Sequence, residues 1–233
     1  MAFVGAGGKT AAISTVAAEL RARRLRVLVT TTTRLGPSIP SAIASFRYER
    51  HGGTELRTAL DREGAILVTG PPDHEGKLTG LSAGAVAPLA SAVLADVTLV
   101  EADGARKRPL KAPADHEPVI PTGTTVVCPV AGLDALGLAV SEAAHRPDLV
   151  APFAPGGTVT TGVVAALLTS PQGGLKGVPP TAAVRPLLNK MGNRSSEAAE
   201  IAALALGSSR SIDRIVAGDV RDRRLTVFSR PRS

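Results

Sequence analysis

Two spacings of apolar residues alternate along the first half of the chain. Ala12, Ile13, Val16, Ala17 and Leu20 recur every three or four positions, the period of one helical face. The next segment, LRVLVTTTT, is a β-branched run and reads as a strand. TELRTALDR then predicts a short helix before the strand AILVTG, and SAGAVAPLASAVL predicts a helix opening on a serine before the strand VTLVEADG. TTVVCPV, VVAALLTS, VRPLLNK, SSEAAEIAALAL and DRIVAGDV continue the series, with a proline- and glycine-rich interruption between residues 129 and 180. Strands alternating with helical stretches predict an α/β fold, a mostly parallel sheet with helices on both faces and ligands at the carboxyl ends of its strands. The expected organisation is one domain over residues 1–233, with the irregular 129–180 segment as an insertion.

Composition narrows this little. The chain has 233 residues, 44% of them hydrophobic, and no apolar run of the roughly 18 residues that a membrane helix needs. No export leader is legible at its start, and the one cysteine, Cys128, lies in an apolar run and reads as a small buried hydrophobe. A cytoplasmic protein with no membrane association is expected. The net charge of +7 invites a nucleic-acid reading, but the clusters of basic residues are three and lie apart along the chain: Arg21 to Arg26, GARKRPLK, and a basic tail from Arg221 to Arg232. Four Phe, one Tyr and no Trp leave few platforms on which bases could stack, which argues against nucleic acid as a partner.

Candidate chemistry begins at GAGGKT, Gly5 to Thr10, between a short apolar segment and the first helix. Glycines at 5, 7 and 8, with Ala6 between them, let backbone N–H groups approach phosphate oxygens, an exposed Lys9 would reach the β and γ phosphates, and the Thr10 hydroxyl would ligate Mg²⁺. The alternative is a glycine-rich turn with a solvated lysine. Phe3 stands where the phosphate-loop pattern has its first glycine, the first strand is short, and Ala11 follows Thr10 where threonine is more usual. Glu101 and Asp103, emerging where VTLVEADGA leaves its strand, supply the hard oxygens that Mg²⁺ prefers. Thr31, Thr32 and Thr33 end another strand, with phosphate bonding and plain β propensity both open to them. Arg106, Lys107, Arg108 and Lys111, stiffened by Pro109 and Pro113, form a basic loop suited to the nucleotide phosphates or to a second anionic ligand. His116, Glu117 and His145 are weaker candidates, either for acid/base work or for structural hydrogen bonding.

The ordered set FVGAGGKT, VLVTTTTR, LVEADGARKRPLKAPADHEPVIP, GLDALG, HRPDLV, GGLKGVPP and LLNK resembles the selenium-dependent molybdenum hydroxylase accessory protein family, also called YqeC-like, over nearly the whole chain. The resemblance implies a P-loop NTPase-like fold and a protein that binds ATP or GTP with Mg²⁺, and hydrolyses it, in the maturation of molybdenum hydroxylases. It places the phosphates on Gly5, Gly7, Gly8, Lys9 and Thr10, with Glu101 and Asp103 as the metal and water site. A pterin-type cofactor precursor at the basic loop and a molybdenum hydroxylase are the partners it suggests. Two further readings stay open: an ATP-dependent ligase or kinase acting on an anionic precursor, and a nucleotide-gated chaperone of slow turnover. LLNKMGNR resembles the element by which GTPases read guanine, with Asn189 and Lys190 matching. Gly192 stands where that element carries its aspartate, so no strong guanine preference is expected.

Overall fold

The computed structural model describes residues 1–35 and 43–230. The chain divides into two compact units, one made of Met1–Phe3, Thr10–Gly104 and Val119–Thr124, the other of Val4–Lys9, Ala105–Pro118 and the chain from Thr125 onward. Both are α/β, with mostly parallel strands and helices packed on them.

In the first unit, β1 (Ala2–Gly5) contributes Ala2 and Phe3, and α1 (Lys9–Ala22) all but its first residue. Then follow β2 (Val27–Thr31), β3 (Ala44–Arg47), α2 (Gly53–Glu63), β4 (Ala65–Thr69), α3 (Ala83–Ala92) and β5 (Val97–Glu101). The strand order is β1-β5-β2-β4-β3, and every pair is parallel. Every residue of β2 and β4 is buried, as the β-branched runs require of parallel strands covered on both faces. Leu56 and Leu60 of α2 and Val86 and Leu89 of α3 pack with Leu28, Ile66, Val68 and Val100 on one face. The intervening Val29, Leu67 and Leu99 point the other way and are also buried. Gly64 ends α2 at φ 71°, its N–H returning to Leu60 O, a left-handed cap suited to glycine. The predicted helices and strands of this unit are all present. The edge strand β3 was not legible, being four residues with no apolar run.

The second unit holds β6 (Leu110–Lys111), β7 (Val126–Gly132), α4 (Val140–Ala143), β8 (Ala144–His145), α5 (Pro147–Val150), α6 (Thr161–Thr169), β9 (Ala183–Val184), β10 (Leu187–Asn189), α7 (Ser195–Ser208), β11 (Arg214–Asp219) and β12 (Arg224–Ser229). β7, β10 and β11 run parallel in that order, β9 also joins β7, and β12 closes the edge antiparallel to β11. One register serves β7 against both β9 and β10, so Pro129 stands opposite Pro186. Neither residue donates to the ladder, which divides the partner into two short strands. Val163, Val164, Leu167 and Leu168 of α6 and Ala198, Ile201, Ala202 and Ala205 of α7 form the core with Leu188, Ile215 and Ala217. The 129–180 segment is thus ordered around α6, whose first turn is capped by Thr160 accepting from Val163 N–H. The tail read as a basic run becomes β12, paired with β11 over six residues, with Arg232 outside the described residues. Among the described residues no helix is long and apolar enough to cross a membrane.

Candidate functional site

The glycine loop belongs to the second unit. Gly5, Gly7 and Gly8 have φ of 88°, 87° and 121°, a region closed to most side chains. A Cβ on Gly7 would lie 2.1 Å from Gly132 N, and one on Gly8 2.4 Å from Asn189 Nδ2, so these glycines are also required by the approach of neighbouring chain. Ala6 N–H donates to Val130 O at 2.9 Å and Gly7 N–H to Arg108 O at 3.1 Å. Asn189, buried at the end of β10, donates to Gly7 O at 2.9 Å and accepts from Val220 N–H at 3.2 Å. Its side chain therefore braces the loop from behind.

Lys9 corrects the sequence reading, which expected an exposed loop lysine. It is 4% exposed, and its ammonium donates to Gly5 O at 2.5 Å. A cation buried this far requires oxygen partners, and a loop carbonyl supplies one.

In the first unit the carboxyl ends of two adjacent strands, β5 and β2, carry oxygen-bearing side chains. Register sets Glu101 of β5 beside Phe3 of β1 and Thr31 of β2. The Thr10 hydroxyl, in the first turn of α1, donates to Glu101 Oε2 at 2.8 Å. Thr31 Oγ1 donates to Glu101 O at 2.9 Å, and Thr32 Oγ1 to Val119 O at 2.7 Å, so both threonine protons serve the main chain. Asp103 is 1% exposed, two residues beyond Glu101. Among the described residues no group of three or more His, Cys, Asp or Glu converges as a metal cage.

The basic loop, again in the second unit, makes a tight turn in which Arg108 N–H donates to Ala105 O at 2.9 Å. Its central residues, Arg106 and Lys107, take φ of 46° and 62°, a conformation that normally selects Asn-Gly. This turn abuts the glycine loop through the Gly7 to Arg108 bond, although the two lie a hundred residues apart. Behind it Lys111, its side chain fully buried, lies 2.8 Å from Glu117 Oε2, which also accepts from the Arg146 guanidinium. Burial opposes ionisation of Glu117, but hydrogen bonds and charge from Lys111, then Arg146, outweigh it and hold the carboxyl at about 2. Glu117 is thus a fixed anion at neutral pH and no proton donor. Arg146 gave no signal in the sequence, because the ion pair joins residues separated by 29 positions. Lys190 pairs with Asp134 at 2.6 Å. Burial pushes the Cys128 thiol up to about 12, in keeping with a packing role.

Fold and side chains together define an α/β protein with a glycine-rich strand-to-helix loop, whose first helical hydroxyl is bonded to a carboxylate at the end of a parallel strand. The chain belongs to the YqeC family. The family model for YqeC protein matches residues 1–148. The uncharacterized protein YqeC of Escherichia coli (strain K12) is 35% identical over 183 residues, which is 77% of this chain and 71% of that relative. The family expected from the ordered motifs is therefore the one found.

Proposed function

We propose that this protein binds a nucleoside triphosphate with Mg²⁺ on Gly5 to Thr10 and hydrolyses it in the service of molybdenum hydroxylase maturation. The observation that carries the nucleotide reading is the 2.8 Å bond from Thr10 to Glu101, immediately after a loop with three left-handed glycines. Adjacent ligands of an octahedral Mg²⁺, each about 2.1 Å from the ion, stand about 3 Å apart. Thr10 Oγ1 and Glu101 Oε2 already have that separation and are hard oxygens, so the donor set suits the ion. Thr10 and Glu101 would hold it, with phosphate oxygens and waters completing the shell. Bound there, the cation would supply charge to the phosphate oxygens.

The chain's own groups do the rest. Lys9, released from Gly5 O, would give its charge to the transferring phosphoryl group. N–H groups of the first turn of α1, which lack helical acceptors, would donate to phosphate. Glu101 would orient the attacking water. Hydrolysis breaks the terminal phosphoanhydride, water supplying the oxygen that leaves with inorganic phosphate. The maturation role rests on the family resemblance. Transfer to an anionic acceptor is the second reading, favoured by the basic turn that holds Gly7 N–H. Calorimetry with ATP, GTP and CTP in Mg²⁺, followed by phosphate release, tests the proposal. Saturable binding with free phosphate is expected, acceptor-dependent turnover would favour transfer, and no binding of any nucleotide would overturn both.

A further inference from the structure

Five basic residues described in the second unit hold left-handed backbone, and three of them, Arg106 at φ 46°, Lys107 at 62° and Arg146 at 61°, belong to segments bonded to one another. Left-handed backbone is unfavourable for L residues, and strain of this kind collects where a fold must aim particular groups. The segments are tied together. Lys111 pairs with His145 in the β6-β8 register, Arg108 donates from its guanidinium to Glu142 O, and Arg146 reaches Glu117. Charge within the group is unbalanced. Glu117 faces both Lys111 and Arg146, while Arg106, Lys107 and Arg108 add three exposed cations beside them. His145 stands within this field, held below the ordinary imidazole range by burial, then by Arg146, Lys111 and Arg106, with Glu117 opposing.

We infer that Arg106, His145 and Arg146, over the buried Lys111, form an anion subsite for a phosphate- or carboxylate-bearing small molecule distinct from the nucleotide. A doubly charged oxyanion would meet two guanidinium groups and an imidazole able to donate once protonated. The fixed Lys111–Glu117 pair beneath would hold Arg146 in place before the ligand arrives. The inference rests on the nucleotide reading only in calling this ligand a second one.

Inorganic pyrophosphate is the probe, and the His145 ring resonance, assigned by its loss in His145→Asn, is the readout. Pyrophosphate is expected to raise the apparent His145 pKa in the full chain. It should do so equally in Lys9→Met, which disables the nucleotide loop. Arg106→Asn, chosen because asparagine tolerates left-handed backbone, should weaken this response about tenfold. Arg106→Gln should match it, separating charge from turn geometry. Loss of the response in Lys9→Met would merge the subsite with the nucleotide site and overturn the inference. An unmoved His145 resonance, or unchanged affinity in both Arg106 variants, would overturn it also.

Discussion

Lys9 and Glu101 separate binding from chemistry at the level of single side chains. Because Lys9 is buried against Gly5 O, Lys9→Ala would remove packing as well as charge. Lys9→Met keeps the stem, so it should fold with a thermal midpoint near that of the parent and lose nucleotide affinity by at least about a hundredfold, read by calorimetry. Unchanged affinity would remove the loop from the mechanism. Glu101→Gln retains an oxygen that can accept from Thr10 and loses only the charge. It should bind nucleotide while turnover falls by roughly two or more orders of magnitude in phosphate release, the signature of a group acting in the transition state. Both residues were legible because a loop motif and a strand end mark them. The depth of Lys9 was not, since burial of a loop is decided by chain that returns from far away.

The turn Ala105–Arg108 carries a prediction of its own. Replacing Arg106 and Lys107 by Asn and Gly supplies the residues its backbone prefers and should raise stability by about 1–2 kcal/mol in urea unfolding, while weakening anion binding. A variant no more stable than its parent would show that the turn is not strained. A second prediction concerns Glu117. Its folded pKa of about 2 lies below the ordinary 4.5, so its contribution is complete above about pH 4.5 and is lost as pH falls toward 2. The difference is worth up to about 3 kcal/mol, and Glu117→Gln should flatten the acid limb of the stability curve. Elements with a strong pattern, α1, β2, α2, β4, α3 and β5, were readable in advance, whereas β3 was not. β6, β8 and β9 were not, because two-residue strands have no period, and β12 was hidden by its arginines. Arg146 stayed invisible for a different reason, since ion pairs between distant segments leave no spacing to find.

For the molecule as a whole, base preference follows from where polar groups are already committed. Asn189 is bonded to Gly7 and Val220, Asp213 to Arg185, and Asp219 accepts from Gly192 N–H. With glycine at 192, no side chain there can accept from a guanine edge. ATP and GTP should therefore bind within about tenfold of each other, a spread of roughly 1.4 kcal/mol, and a hundredfold preference for GTP in competition calorimetry would refute this. Cys128, on the other hand, turns burial into an instrument. A lone thiol in the middle of β7, deprotonating only near 12, is silent to aromatic disulfide reagents while that strand is closed. Its labelling rate would thus count openings of the second unit alone, a natural stopwatch needing no engineered probe, and a ligand held by that unit would slow it.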